Sequence, residues 1–159
     1  MQVFSTNEVA ERERFAYWRD VLTQHFIHLR PEPVGRESFS SEIRARALGD
    51  HSFSQVSAGG QRVHRTRREI ARSPHDLVFI NLQVRGLGSY RQGGDETALR
   101  PGDLYLIDAV EPFELGCAER PAALGTGHGR RPHVDDARAA LLQPVDAGDR
   151  RGRVGEREH

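Results

Sequence analysis

At 159 residues the chain has room for one domain and a tail, but not for two full domains. Lys+Arg and Asp+Glu each number 23, and every basic residue is Arg, so no net field steers the chain towards nucleic acid or anionic lipid. The single cysteine, Cys117, excludes an internal disulfide, and no apolar run approaches the ~20 residues of a membrane span. With no signal peptide legible at Met1-Gln2-Val3-Phe4, a cytoplasmic location is expected.

The first element is helical. Ser5 and Glu8 have the spacing of a capping box, in which hydroxyl and carboxylate each satisfy a free backbone N–H. Phe15, Trp18, Val21 or Leu22, and His25 or Phe26 then recur at helical spacing. The pattern predicts one amphipathic helix from about Asn7 to His28, ending before Pro31 and Pro33. Its aromatic stripe reads as core packing, with Trp18 as the main anchor.

From Phe39 the period changes to two. Ile43 and Ala45 or Ala47 alternate with Arg44 and Arg46, Gly49-Asp50 turns the chain, and residues 51–58 return. Gly59-Gly60 turns again into residues 61–65. The strongest strand signal lies in residues 76–85, with Val78, Ile80, Leu82 and Val84 on one face and Phe79, Asn81, Gln83 and Arg85 on the other. Gly86 and Gly88 permit a bend, Gly93-Gly94-Asp95 has the composition of a hairpin turn, and Thr97 to Arg100 returns. Pro101-Gly102-Asp103 is a tight turn, in which Asp103 can hydrogen-bond the local backbone and pin the register of the strand Leu104 to Asp108. One helix followed by about eight short strands argues for an antiparallel sandwich or barrel. No second helix of useful length is legible between the strands, which disfavours a parallel α/β fold.

Four segments carry a resemblance. Leu99-Arg100-Pro101-Gly102-Asp103-Leu104 is similar to the L-x-P-G-D-hydrophobic signature of cupin-like barrels. Phe4-Ser5-Thr6 with Glu13-Arg14-Phe15-Ala16-Tyr17-Trp18-Arg19 resembles the N-terminal helix of one AraC-type sensor family. So do residues 63–72 and Leu82-Gln83-Val84-Arg85-Gly86-Leu87-Gly88, and the pieces stand in the family's order over residues 3–116. The resemblance implies the N-terminal ligand-binding domain of an AraC-type transcriptional regulator. Its fold would be mainly β, a cupin-like double-stranded β-helix (jelly-roll barrel) with an N-terminal amphipathic helix. The barrel would hold a small-molecule effector, and helices would mediate dimerisation.

Catalytic and metal chemistry find no footing in the residues. Metal-binding cupins bring together an H-x-H pair, a Glu and a further His. Here His64 stands alone between Val63 and Arg65, His25 and His28 lack a third ligand, and His51 and His75 sit by turns. There is no G-x-S-x-G elbow, Cys117 has no base in its sequence context, and Asp135-Asp136 lies in a polar segment. No catalytic residue, metal or other cofactor is expected. The run Arg62, Arg65, Arg67, Arg68, Arg72 has no interleaved aromatics, and reads as intramolecular pairing, dimer contacts or an anionic-effector surface rather than a nucleic-acid site.

The sequence changes character after Phe113, beyond which no aromatic residue occurs. The domain is accordingly bounded at 1–117, and 118–159 reads as a low-complexity, disordered tail with at most a short helix between Val134 and Gln143. Its Arg/Ala/Gly/Pro text from about Glu119 is what out-of-frame reading of a GC-rich gene produces, and no helix-turn-helix pair is legible in it. The expected function is effector sensing and dimerisation without direct DNA binding by this chain. The partners expected are a small molecule and either a second copy or an intact homologous regulator. The alternative is an interaction module that pairs with such a homologue. Inward strand residues Ile80, Leu82, Tyr90, Leu104 and Leu106 are the expected ligand contacts. Loss of closing elements would expose a sheet edge and apolar surface.

Overall fold

The computed structural model describes residues 1–35, 38–49, 51–117 and 122–130. Two antiparallel sheets face each other. The larger holds six strands in the order β1 (Gln2–Ser5), β3 (Ser41–Leu48), β4 (His51–Ala58), β11 (Ala122–Arg130), β6 (Leu77–Arg85) and β9 (Leu104–Asp108). The smaller holds five, β2 (Arg30–Pro33), β5 (Gln61–Arg65), β10 (Phe113–Cys117), β7 (Gly88–Gln92) and β8 (Asp95–Leu99). This is the mainly β, cupin-like jelly roll that the sequence predicts.

The predicted long helix is shorter than its apolar pattern. Residues 2–5 pair with β3 as a strand, two single 3₁₀ turns follow (Thr6–Glu8 and Glu11–Glu13), and α1 runs only from Arg14 to His25. Ser5 does cap, its Oγ accepting from the Asn7 N–H at 3.3 Å, but it caps a 3₁₀ turn. Thr6 explains the early break, because it is fully buried and clipped to β3, accepting from the Ser41 N–H and donating to the Ser41 carbonyl. A second helix that the sequence reading lacks, α2 (Arg67–Arg72), carries a true capping box: Thr66 and Glu69 satisfy each other's backbone N–H groups. The Arg-rich composition of this segment had masked a T-x-x-E signal.

Turn chemistry behaves as expected. Gly93 and Gly94 join β7 to β8 with both φ positive, at 69° and 96°, the left-handed pair that a two-residue hairpin needs. At Pro101-Gly102-Asp103, Gly102 sits at φ 98° and Asp103 Oδ2 accepts from the Arg100 N–H at 2.7 Å. Backbone bonds from Gly102 N–H to the Gln83 carbonyl and from Gln83 N–H to the Asp103 carbonyl lock this turn onto the end of β6.

The sheet does not end at residue 117. β11 enters the middle of the larger sheet, pairing with β4 on one side and β6 on the other. Reading 118 onwards as a structureless tail therefore does not describe residues 122–130. Alternating glycines (Gly125, Gly127, Gly129) had hidden the strand, since glycine is poor in sheets unless something needs close approach. Here a Cβ at Gly125 would meet the Phe53 ring at 3.4 Å, so that ring lies across the bare strand. The helix expected between Val134 and Gln143 and the tail beyond it lie outside the described residues.

Two apolar clusters hold the layers. Trp18, Val21 and Leu22 of α1 pack on Ile43, Ala45, Val56 and Ala58 of β3 and β4. Ile27, Phe79, Ile107, Ala109 and Phe113 form the second, between the sheets. Trp18 is fully buried and its indole N–H donates to Gln61 Oε1 at 2.9 Å, which ties α1 to the smaller sheet as well.

Beyond Gln61 and Val63 on the inward face of β5 stands Arg65, with no exposed surface. Its Nε donates to the Ala109 carbonyl at 3.0 Å, one terminal nitrogen to His28 at 2.9 Å and the other to Ser73 at 2.8 Å. Three connecting segments are thus pinned by one guanidinium. Removing it leaves three carbonyls without their donor, and charge-assisted hydrogen bonds contribute about 1.5–3 kcal/mol each. Arg65→Ala should lower unfolding free energy by roughly 3–5 kcal/mol in urea titrations, and Arg65→Lys should recover only a minority of that, because one ammonium cannot span three separated carbonyls. An Arg65→Lys chain as stable as the parent would refute the clamp.

Glu69 has an acid dependence of known sign. Burial pushes its carboxyl up, but the Thr66 hydroxyl and backbone N–H groups outweigh it and hold the pKa below the ordinary carboxylate value. A depressed folded value gives stability that is present above the unfolded pKa and lost as pH falls through the folded one. Stability measured from pH 7 down to pH 3 should therefore fall more steeply for the parent than for Glu69→Gln, whose loss should already be present at neutral pH. Parallel curves would show that the capping carboxylate has no such role.

Candidate functional site

Between the sheets lies a cavity of ≈ 80 Å³. Its walls come from both sheets and from the end of α1: Phe79 and Ile107 from the larger sheet, Val63 and Phe113 from the smaller, and Leu22 and Phe26 from the helix side. These positions follow from strand parity. On β6 the residues facing in are Phe79, Asn81 and Gln83, all buried, while Ile80 and Leu82 are 53% and 42% exposed.

The inward expectation for the strand residues is therefore corrected. Ile80, Leu82, Leu104 and Leu106 share the outer face of the larger sheet, where Ile80 pairs with Leu106 and Leu82 with Leu104. Tyr90 is half-buried and does not reach the cavity wall. Its hydroxyl lies 2.8 Å from the Leu106 carbonyl and 2.7 Å from Gln92 Oε1. The reason for the inversion is that β6 is apolar on both faces at its start. The parity is set by Phe79, which packs with Ile27, Ile107 and Phe113, and by the turn that grips Gln83.

What the inversion brings inside is a polar row. The register aligns Ser54 (β4), Thr126 (β11), Asn81 (β6) and Tyr105 (β9) side by side across the inner face of the larger sheet. Thr126, Asn81 and Tyr105 line the cavity. His25 extends the row, its Nε2 2.9 Å from Ser54 Oγ. Burial, and then the neighbouring His128, push the His25 pKa below its usual range and favour the neutral ring. Gln83 is turned back on its own strand, its amide nitrogen donating to the Arg85 and Gly86 carbonyls. Gln61 accepts from Trp18. Asn81 differs from these, because its Nδ2 is buried with no hydrogen-bond partner among the described residues. Polar amides at alternate positions of the most apolar strand were the sequence signal that could have marked this face.

Among the described residues no charged side chain lines the cavity. Tyr105 and Cys117 are its titratable groups. Burial drives the tyrosine pKa far up and that of the thiol to about 11, so both are protonated at neutral pH. Among the described residues no group of three His, Cys, Asp or Glu is placed to hold a metal ion. His64 instead faces away from the cavity, 3.5 Å from Glu32 Oε2 and 3.3 Å from Glu114 Oε2. Of the Arg run, Arg65 is absorbed in the internal clamp described above, and Arg62, Arg67, Arg68 and Arg72 are exposed. No helix among the described residues is long and apolar enough to cross a membrane.

Comparison with known proteins agrees with this architecture. The chain is 34% identical over 113 residues to an uncharacterized protein in the nit 5′ region of Bacillus sp. (strain OxB-1), covering 71% of this chain and 44% of that protein. It is 28% identical over 111 residues to the transcriptional activator NphR of Rhodococcus sp., covering 68% of this chain and 32% of the activator. The chain thus spans less than half the length of either relative. The crystal structure of the AraC-like transcriptional activator CuxR superposes with a TM-score of 0.72 at 19% identity, over 88% of this chain and 51% of the activator, a likeness of fold. The family model described as AraC-binding-like domain matches residues 18–151, which takes in α1 from Trp18 onwards, the cavity walls and β11, and the chain belongs to that family.

Proposed function

We propose that this chain is the effector-binding domain of an AraC-type transcriptional regulator, and that its ligand occupies the cavity between the sheets. The observation that carries the reading is the apolar cavity between the sheets with a polar row along one wall, inside a domain of this family. On this reading the protein is not an enzyme: among the described residues the cavity lining holds uncharged side chains, which supports binding over turnover. It acts in the cytoplasm, and reading of DNA belongs to the regulator as a whole rather than to this domain.

A second reading, association with a copy of itself or with a homologous regulator, is favoured by a separate observation. Phe53, Ile80, Leu82, Val84, Leu104 and Leu106 leave an apolar outer face on the larger sheet, 68% exposed at Leu104. β9 is the edge of that sheet among the described strands. An apolar face that runs to a free edge is self-complementary across a two-fold axis, and monomers rarely leave such a patch bare. The occupant we assign is a second copy of the chain.

Two experiments test these readings. The purified chain is dialysed against the small-molecule fraction of a bacterial extract, and retained compounds are identified by mass spectrometry. One compound class should be retained by the parent and lost in Val63→Phe, whose ring fills the cavity. Equal retention by both proteins, or none by either, would dismiss the cavity as the effector site. Sedimentation should show a concentration-dependent dimer that the double variant Leu104→Glu, Leu106→Glu converts to monomer while keeping its thermal transition. A parent monomeric at all concentrations would exclude the paired sheet.

A further inference from the structure

The chemistry of the cavity wall narrows what can occupy it, granting the effector-binding reading on which this inference rests. The first constraint is size. A volume of ≈ 80 Å³ is about half the roughly 150 Å³ of a cavity that holds benzene, so the occupant is no larger than about one ring and seats only as the wall yields.

The second constraint is charge. Every described lining side chain is neutral at physiological pH, so an ionised ligand would leave water with no counter-charge from them to meet it. Desolvating an unpaired ion costs several kcal/mol, enough to exclude carboxylates, phosphates and ammonium groups. The third is polarity. Most of the wall is aliphatic and aromatic, with Phe26, Phe79 and Phe113 in contact with the space, and this suits an apolar body.

The fourth constraint is directional. Asn81 is 3% exposed, lines the cavity, and holds Nδ2 without a partner among the described residues. A buried amide N–H without an acceptor costs about 1–3 kcal/mol, so a ligand that supplies an acceptor there gains over one that does not. Gln83 cannot stand in for Asn81, because its own amide nitrogen is committed to the Arg85 and Gly86 carbonyls. Beside the Thr126 and Tyr105 hydroxyls that share this wall, Asn81 is thus the fixed amide donor that has no partner among the described residues.

We propose that the cavity selects an uncharged molecule of about one ring, apolar over most of its surface, whose hydrogen-bond acceptor receives the Asn81 side-chain N–H. A carbonyl on an aromatic or alicyclic ring has this chemistry, and the corresponding acid does not.

The test uses the full chain and three probes of matched size: acetophenone (neutral, with an acceptor), isopropylbenzene (neutral, without one) and benzoate (charged). Trp18 is the sole tryptophan and is bonded to the cavity residue Gln61, so its emission reports binding directly. Acetophenone should bind about tenfold more tightly than isopropylbenzene, as one net hydrogen bond allows, and at least a hundredfold more tightly than benzoate at pH 7. Asn81→Leu should remove or reverse the preference for acetophenone while leaving isopropylbenzene binding in place. The probe series in the parent chain decides the matter even where this variant fails to fold. Equal binding of acetophenone and isopropylbenzene would overturn the acceptor assignment, and tight benzoate binding would overturn neutrality, while in both cases the cavity remains a binding site. No binding by any probe would remove the effector-binding reading and this inference with it.

Discussion

A buried cation whose hydrogen bonds among the described residues all go to backbone carbonyls is the least expected feature of this fold, and the one on which the rest leans. Arg65 donates to Ala109, His28 and Ser73, which belong to the segment after β9, the segment between α1 and β2, and the end of α2. Each segment delivers a strand whose side chains line the cavity or frame it. Taking a guanidinium out of water is costly, and carbonyl dipoles compensate only when their geometry is fixed. The arrangement therefore favours one relative placement of the three segments over the many that apolar contact alone would permit. That single placement sets how β5, β6 and β9 face one another, and so shapes the cavity.

Strand parity is the second constraint, and it explains why the fold was legible while the site was not. Period-two alternation, the Gly93-Gly94 hairpin and the Pro-Gly-Asp turn are local signals, read from residues a few positions apart. The direction in which β6 faces is not local. Ile80 and Leu82 are as apolar as any core residue, yet they are exposed, while Asn81 and Gln83 are buried. The choice was made by long-range partners: Phe79 packs against Ile107 and Phe113, and the turn at residues 101–103 grips Gln83. A one-residue change of parity would put four apolar side chains inside and leave the amides in water, but it would break that grip. Apolar character in a strand identifies a surface that wants cover. It does not say whether the cover is the protein's own interior or another chain.

The other departures have the same origin. The S-x-x-E at Ser5 and the T-x-x-E at Thr66 are alike in sequence, but only the second is a capping box. At Thr6 the hydroxyl is spent on β3, whereas Glu69 is free to fold back on Thr66. β11 is hidden in the sequence because its Arg/Ala/Gly/Pro text reads as low complexity, although Gly125 is what allows Phe53 to lie over the strand. Trp18 was placed correctly because a lone tryptophan on a helix stripe has few alternatives to burial. Its hydrogen bond to Gln61 was beyond reach, since that partner lies 43 residues away.

The cavity is enclosed by two kinds of wall, and they differ in how easily they yield. On one side stand strands held in continuous backbone ladders, where displacement of a single residue breaks hydrogen bonds on both flanks. On the other stand α1 and residues 26–29, which supply Leu22, Phe26, Ile27 and Leu29 to the lining. The helix meets the sheets through side chains, with Trp18 to Gln61 and His25 to Ser54 as its polar ties. Both ties end on residues of the inner sheet faces, and Gln61 itself lines the cavity. A molecule that presses on the wall thus meets least resistance at the helix, and a change at Gln61 is carried to Trp18 through one hydrogen bond. On the effector-binding reading proposed above, α1 is therefore the wall that an occupant would displace most readily.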